Sequence, residues 1–443
     1  MLLGFRVSNF RSFKKEVSIS FVATRLDKGY GFPTQVAQDG TSVDVLPVAA
    51  VLGANASGKS NLLKAMDFMR DMVLESATRS RLSGPLGDPF LLDPSFVDKP
   101  TLMELDFALK GTRYQYGFEL IRGKFAEEWL LTFPHNRSQV LFDRERSSEY
   151  TFGKNLHGQN RTIAEITRPD VLFLSAASQA GHPQLSQIVD FFQRSLVLLD
   201  VPQRSEATTP MIRRLGERHS RAVRLLAMAD LGIADARVRE DDVSAAERQQ
   251  VREFVQEKFV DTPDDEREAQ IEALVRDIFG SRQTVELIHR SSESGVPLPF
   301  QEESLGTKSW LAFVSYALDA LDNGGALLVD ELDASLHPVL IAEALQLFQN
   351  RRSNRFGAQL VFTTHDVTIL GNTLERLKLA RGQIWLTEKG EDGSSSLTPL
   401  SDYRPRKGED LERGYLQGRY GGTPQVASSS AGTLATSLAS AIR

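Results

Sequence analysis

No cysteine occurs in the 443 residues of the chain. That excludes disulfides, cysteine-ligated zinc, iron–sulfur clusters and a thiol nucleophile. Long apolar runs are missing too. None approaches the ~20 residues needed to cross a bilayer, so no membrane-spanning helix and no membrane partner is expected. The opening MLLGFRVSNFRSF is interrupted by Arg6 and Arg11 and alternates like a strand, which is not the layout of a secretory signal. An excess of positive charge is also lacking: 52 Lys and Arg stand against 58 Asp and Glu, a net charge of −6. This weighs against a broadly basic, nucleic-acid-coating surface, while a local basic groove is compatible with an acidic total. No heptad pattern persists and Pro263 breaks the longest helical stretch, so no coiled-coil arm is expected. The remainder is ordinary globular composition, 41% hydrophobic and 25% charged. The length suits two or three domains, or one large α/β domain with an insertion. The expected location is the cytoplasm.

Residues 2–24 alternate and predict a hairpin or two sheet strands. VLPVAAVLGA (Val45–Ala54) is a continuous apolar run with β-branched residues, the pattern of a buried strand. NLLKAMDFMRDMVLE follows, with Leu62, Leu63, Met66, Met69, Met72 and Val73 at helical spacing. Residues 100–131 alternate again and predict an antiparallel meander. Residues 183–280 read as mostly helical, with polar faces on SAAERQQVREFVQEKF and DDEREAQIEALVRDIF. TVELIHRS and LPFQEES look like strands. After them come a helix (SWLAFVSYALDAL), a buried strand (GALLVDE), a helix (HPVLIAEALQLFQNR), a buried strand (AQLVFTTHD) and a strand (GQIWLTEK). Such alternation implies a parallel, helix-flanked sheet.

GANASGKS, Gly53 to Ser60, matches G-x-x-x-x-G-K-[ST], and it follows a buried strand and opens a helix as that motif requires. Gly53 and Gly58 let the backbone wrap a phosphate. The amides from Ala54 to Ser60, with the positive end of the helix, form an anion nest. Lys59 would reach the β- and γ-phosphates, and the Ser60 hydroxyl would hold Mg²⁺. GALLVDE carries Asp330 and Glu331 at the C-terminal end of a strand, where a parallel sheet binds ligands. Asp330 is placed to hold Mg²⁺ directly or through water. Glu331 is placed as general base towards a water attacking the γ-phosphate. His365 ends the adjacent predicted strand, where an imidazole can bind a γ-phosphate oxygen or orient that water.

Together these motifs resemble the ATP-binding-cassette superfamily in its chromosome-maintenance (SMC) and RecF-like branch. GANASGKSN is similar to that family's phosphate loop, LLVDELDASLHP to its carboxylate strand and following loop, and FTTHD to its switch histidine. The resemblance implies an α/β fold, a P-loop NTPase of ABC type. N-terminal antiparallel strands, a mostly parallel core sheet and a large mixed or helical insertion belong to it. It implies ATP and Mg²⁺ as ligands. Nucleotide contacts would come from Gly53, Asn55, Ala56, Ser57, Gly58, Lys59, Ser60 and Asn61, metal contacts from Ser60 and Asp330, and catalysis from Glu331 and His365. NFRSF resembles the branch's N-terminal segment, which carries a basic role near the nucleotide to Arg11. ESLGTKSW resembles the signature loop, with Ser304 and Gly306 as a second phosphate cradle that closes on ATP held by another subunit. A homodimer or higher homo-oligomer joined through an ATP sandwich follows from that. Two positions depart from transporter ATPases: Thr307 stands where Gln is usual, and His337 where Asp is usual.

NFRSF, VLGANASGKSNLLKAM, VLFLSAASQAGHPQL, DELDASLHP and RKGEDLERGYLQGRYGGTP also resemble bacterial abortive-infection ATPases of the AbiL/RloA type, to which the PARIS ATPase is similar. That resemblance implies a sensor or switch in antiphage defence, responding to a phage-encoded trigger. A separate effector, a Toprim-like nuclease, would be its partner. The expected division of the chain is a first part of the ATPase lobe with the phosphate loop (1–78), a β-rich continuation (79–182), a helical insertion (183–285), the second part of the lobe (286–426) and, from its low-complexity composition, a disordered tail (427–443). Arg404, Arg406, Lys407, Arg413 and Arg419 could contact nucleic acid or a partner, or form a solvated surface; both readings stay open. The competing function is a RecF/SMC-like ATPase in DNA repair or chromosome maintenance. A transporter motor is disfavoured by the long insertion.

Overall fold

The computed structural model describes residues 1–78, 87–200, 208–217, 220–240, 249, 252–253, 283–290, 297–371, 378–404 and 408–423. The chain divides into two units, Met1–Asp200 with Ala320–Arg443, and Val201–Asp319.

In the first unit, β1 (Leu2–Ser8) pairs antiparallel with β2 (Val17–Ser20). β3 (Phe32–Gln35) and β4 (Ser42–Val45) form a separate hairpin. β5 (Val48–Gly53) is buried at every residue and runs into α1 (Lys59–Glu75). The meander predicted for residues 100–131 comprises β6 (Thr101–Leu109), β7 (Thr112–Ile121) and β8 (Lys124–Thr132), extended by β9 (Gln139–Glu145) and β10 (Glu149–Phe152). These strands join the first pair in a seven-stranded sheet of order β10-β9-β8-β7-β6-β1-β2.

Three short helices follow: α2 (Asn160–Ile166), α3 (Phe173–Gln179) and α4 (Leu185–Arg194). The first turn of α3 is anchored by the buried Glu128 carboxylate, which accepts from the amides of Phe173 at 2.6 Å and Leu174 at 2.9 Å and from the Tyr116 hydroxyl at 3.0 Å. Arg144, equally buried, stands 3.5 Å from that carboxylate. Burial raises the Glu128 pKa and the neighbouring guanidinium opposes the rise. The segment VLFLSAASQ is thereby tied to the meander. β11 (Val197–Asp200) comes next.

The second unit contains α5 (Thr209–Gly216), α6 (Arg221–Met228), and an antiparallel sheet of β12 (Ile233–Glu240), β13 (Gln283–His289) and β14 (Pro297–Pro299). α7 (Leu305–Asn323) follows. Its Trp310 indole donates to the carbonyl of Leu225 at 3.3 Å. Two corrections to the sequence reading arise here. The stretch 183–280 is not helical throughout, because β11 and β12 interrupt it; Ile233–Glu240 pairs with β13 from Ile233 opposite His289 to Glu240 opposite Gln283, with an irregularity between Ile233 and Asp235. LPFQEES is a strand only at its first two residues, Leu298 and Pro299, the end of Pro297–Pro299, after which Phe300–Glu302 tightens into a single 3₁₀ turn. DDEREAQIEALVRDIF, and SAAERQQVREFVQEKF apart from Gln249, Arg252 and Glu253, lie outside the described residues, as does the tail from 427.

The first unit resumes with β15 (Ala326–Asp330), α8 (Pro338–Gln349), β16 (Gln359–Thr364), β17 (Ile384–Lys389), β18 (Ser395–Pro399) and α9 (Leu411–Leu416). The second large sheet has the order β11-β15-β16-β5-β17-β18 and is parallel except for β18. Leu62, Leu63, Met66, Met69, Met72 and Val73 of α1 are buried in one cluster with Phe107 and Phe118 of the meander and Val51, Leu328 and Val361 of the parallel sheet. Fully burying each such side chain stabilises by roughly 1.5–3 kcal/mol. The fold is α/β, with an antiparallel sheet beside a mostly parallel one. Among the described residues no helix is long and apolar enough to cross a membrane.

Candidate functional site

β5 lies between β16 and β17, so the loop after Gly53 emerges at the C-terminal ends of three adjacent parallel strands. Neighbouring side chains crowd that loop so closely that glycine is required. A Cβ on Gly53 would collide with the Thr387 hydroxyl and stand 2.6 Å from Ser57 Oγ. Gly58, the N-cap of α1, has φ +109°, and a Cβ there would collide with Ser395 and stand 2.9 Å from Ser12 Oγ. The remaining loop residues divide by exposure. Asn55 and Ala56 are exposed, with Ala56 at φ +61°, whereas Ser57 is buried and its hydroxyl lies 2.5 Å from that of Thr387. Asn61 donates to Ser12 Oγ at 2.8 Å, and the Ser395 amide donates to the Ser12 carbonyl at 2.7 Å. The phosphate loop is thus buttressed by β17, by β18 and by the turn after β1.

Lys59 is buried and folds back over the loop, donating to the carbonyls of Gly53 at 2.9 Å and Ala54 at 3.1 Å. Burial holds its pKa below the usual lysine value, and the carboxylates of Glu331, Asp330 and Asp333 partly offset that. Those three acids come from the end of β15 and the turn after it. The Ser60 hydroxyl donates to Asp330 Oδ1 at 3.0 Å, bringing together two residues 270 positions apart in the chain. Thr363 on β16 donates to the same oxygen at 2.6 Å, and its own oxygen accepts from the Glu331 amide at 2.7 Å. Glu331 is held in the left-handed region at φ +50°.

His365 lies one residue beyond β16, with Nδ1 3.5 Å from Lys59 Nζ. Its amide is held by both carboxylate oxygens of Asp333, at 3.2 and 3.1 Å. Gly53, Ser57, Gly58, Lys59, Ser60, Asp330, Glu331 and His365 therefore meet at one end of the parallel sheet. The donor set suits Mg²⁺. Ser60 Oγ and Asp330 Oδ1 are hard oxygens in contact, and this metal commonly takes one or two protein oxygens and completes its shell with phosphate and water. The buried ammonium, the loop amides and the α1 N-terminus suit a polyphosphate. Arg11 sits at the rim, next to Ser12. Its guanidinium pairs with Asp88 at 2.8 Å and its amide donates to the Asp88 carbonyl at 2.6 Å.

Ser304 and Gly306 belong to the second unit. Ser304 caps α7: its hydroxyl accepts from the Thr307 amide at 3.1 Å and lies 2.9 Å from the Thr307 hydroxyl. Both departures from the transporter pattern thereby gain a local reason. Thr307 is buried against its own cap, and His337 caps α8, with Nδ1 accepting from the Val339 amide at 3.3 Å. Sequence reasoning missed Thr363, Asp333, Thr387, Ser12, Ser395 and Asp88. Asp333 was the most accessible of them, two residues after Glu331 within a motif already singled out.

The SMC head bound to the C-winged helix domain of ScpA is 13% identical, with 90% of this chain and 96% of that one covered at a TM-score of 0.40. The SMC head domain from Thermotoga maritima is 12% identical, covering 90% and 98% at 0.37. The Smc head with an extended coiled coil, bound to the C-terminal domain of ScpA and derived from Pyrococcus furiosus, is 13% identical, covering 91% and 97% at 0.38. Scores of this size assign nothing. No curated protein matches the chain. A family profile does match, over residues 48–371, from the first residue of β5 past His365 and so across the whole phosphate-loop, carboxylate and histidine set. With more than half its length under that profile, the chain belongs to the family described as "AAA domain, putative AbiEii toxin, Type IV TA system".

Proposed function

We propose that the protein binds ATP with Mg²⁺, hydrolyses it to ADP and phosphate, and acts as the sensor or switch of a bacterial antiphage abortive-infection system that controls a separate effector. The observation that carries the ATPase reading is the contact of Ser60 with Asp330, which sets Glu331 beside the phosphate loop. The amides of Ala54 to Ser60 and the Lys59 ammonium hold the phosphate chain. Bound at Ser60 and Asp330, Mg²⁺ would neutralise charge on the β- and γ-phosphates. Glu331 takes a proton from the attacking water, and His365 donates to a γ-phosphate oxygen. Ser304 and Gly306 supply a second cradle to ATP held by another copy of the chain, so turnover depends on a dimer. The defence role rests on the family and on the abortive-infection resemblance, and a Toprim-like nuclease is the effector proposed.

Titration calorimetry and ATP turnover test this. Lys59→Ala loses nucleotide binding. Glu331→Gln keeps it, hydrolyses slowly and accumulates as a dimer with ATP. Native turnover by Glu331→Gln removes Glu331 as base. The defence arm is tested by phage challenge with and without the neighbouring gene, and full protection by this chain alone removes the separate effector.

A further inference from the structure

The loop between α8 and β16, RRSNRFG (Arg351–Gly357), lies at the N-terminal ends of the parallel strands, the end of the sheet opposite Asp330, Glu331 and His365. It borders a cleft of about 450 Å³ whose lining includes Phe32, Lys110, Arg351, Arg355 and Phe356, and no carboxylate. The turn is rigidly built. Asn354 is buried, donates to the carbonyls of Phe348 and Ala358 at 2.8 Å each, and accepts from the Ala358 amide at 2.7 Å. Ser353 donates to the carbonyl of Leu347 at 2.8 Å. Gly357 packs on Met1, where a Cβ would stand 2.8 Å from the sulfur.

On this rigid frame the display is cationic and aromatic. Arg351 donates to the Gly31 carbonyl at 2.7 Å and lies over the Phe32 ring at 5.4 Å. Arg352 and Arg355 are exposed, and among the described residues neither is in an ion pair. The Phe356 ring beside them is 65% exposed. Clustered uncompensated guanidiniums are unusual in a chain of net charge −6. They call for an anion, and an exposed ring among them calls for a flat apolar face on that same ligand. Single-stranded nucleic acid offers both, phosphates for the cations and unpaired bases for the ring. An acidic peptide would answer the charges and leave the ring unused.

We infer that this cleft binds single-stranded nucleic acid, with Lys110, Arg351, Arg352 and Arg355 on backbone phosphates and Phe356 stacked on an unpaired base. This is independent of ATP turnover and gives the chain a second ligand at the other end of the sheet. The test is fluorescence anisotropy of the full chain with labelled oligo-dT of about 20 nucleotides, a length that exceeds a typical single-strand site. Binding weakens roughly tenfold or more between 50 and 200 mM salt. Phe356→Ala weakens it about fivefold or more, and Phe356→Trp, which keeps a ring, does not. The double variant Arg352→Ala/Arg355→Ala weakens it about tenfold and flattens the salt slope. All variants keep basal ATP turnover and native Tm. Three results overturn the inference: variants that bind like the native chain, a polyglutamate peptide that binds more tightly than oligo-dT, or a duplex of equal length that binds as well and is equally sensitive at Phe356.

Discussion

Thr363 donates its hydroxyl to Asp330 at 2.6 Å while accepting from the amide of Glu331 at 2.7 Å. One buried side chain on β16 therefore fixes both the carboxylate proposed to hold Mg²⁺ and the backbone of the proposed base, which sits at a φ that non-glycine residues avoid. Replacing it with an isosteric apolar group removes both bonds and leaves the volume unchanged. Thr363→Val is expected to lower kcat about 10–100-fold and to raise the Mg²⁺ requirement, with little change in KM for ATP. Thr363→Ser restores both. Turnover measured across a Mg²⁺ titration decides it: a Val variant with native kcat at every Mg²⁺ concentration shows that Thr363 positions nothing.

What made part of this site legible is locality. GANASGKS carries its loop, its lysine and its helix start in eight consecutive residues, and VDE carries both acids at a strand end. Thr363 and Thr387 look like ordinary β-branched strand residues, because nothing in TT or LTEK shows which neighbour a hydroxyl meets. Thr387 reaches Ser57 across 330 positions of sequence and Ser12 reaches Asn61 across 49, and such pairings exist only once strand order is known. The fold was legible on the same terms. β5, β15 and β16 are built on continuous apolar runs, whereas β11 is four residues long and β12 is embedded among charged residues, so both read in the sequence as parts of a helical insertion.

The cap at Ser304 separates two roles that a single substitution would confuse. Removing the hydroxyl costs α7 about 1 kcal/mol whether or not the residue ever meets a nucleotide. Ser304→Asp keeps a good cap and complements the helix dipole, yet places a negative charge where the signature-loop reading puts a phosphate. The expected outcome is unchanged or raised Tm, unchanged ATP binding by the monomer, and turnover lost. Turnover at the native rate would reduce Ser304 to a helix cap.

Asp67, in the middle of α1, is pushed up to about 6 from its ordinary 3.8, chiefly by burial and then by Asp71 four residues on. A raised carboxylate pKa means that the fold prefers the protonated form. Its contribution is full below pH 4 and is lost as pH rises through about 6. Above that, the native chain holds a partly buried carboxylate at a net cost. Asp67→Asn should therefore be more stable than the native protein at pH 8 by about 1 kcal/mol, discounted for partial exposure, with the gap closing towards pH 5. Urea unfolding of both chains at the two pH values checks this, and a gap that widens on acidification would reverse the assignment.

Gly422 ties the C-terminal segment to the phosphate loop. It has φ +71°, and a Cβ there would lie 3.2 Å from the Thr387 carbonyl and 3.7 Å from Gly53 Cα. The Tyr415 hydroxyl of α9 donates to the Gly422 carbonyl at 2.9 Å, which joins the helix to the turn that meets the loop that would cradle phosphate. Gly408 has a similar φ of +81° with open space around it. Alanine at either position carries a left-handed strain of roughly 1–2 kcal/mol, which makes Gly408→Ala the control for strain alone. Only Gly422→Ala adds a methyl group against β17 and the phosphate loop. The expected result is a similar loss of Tm in both variants with weaker ATP binding in Gly422→Ala alone, read by titration calorimetry. Equal ATP affinity in the two variants would show that the C-terminal turn merely rests on the loop.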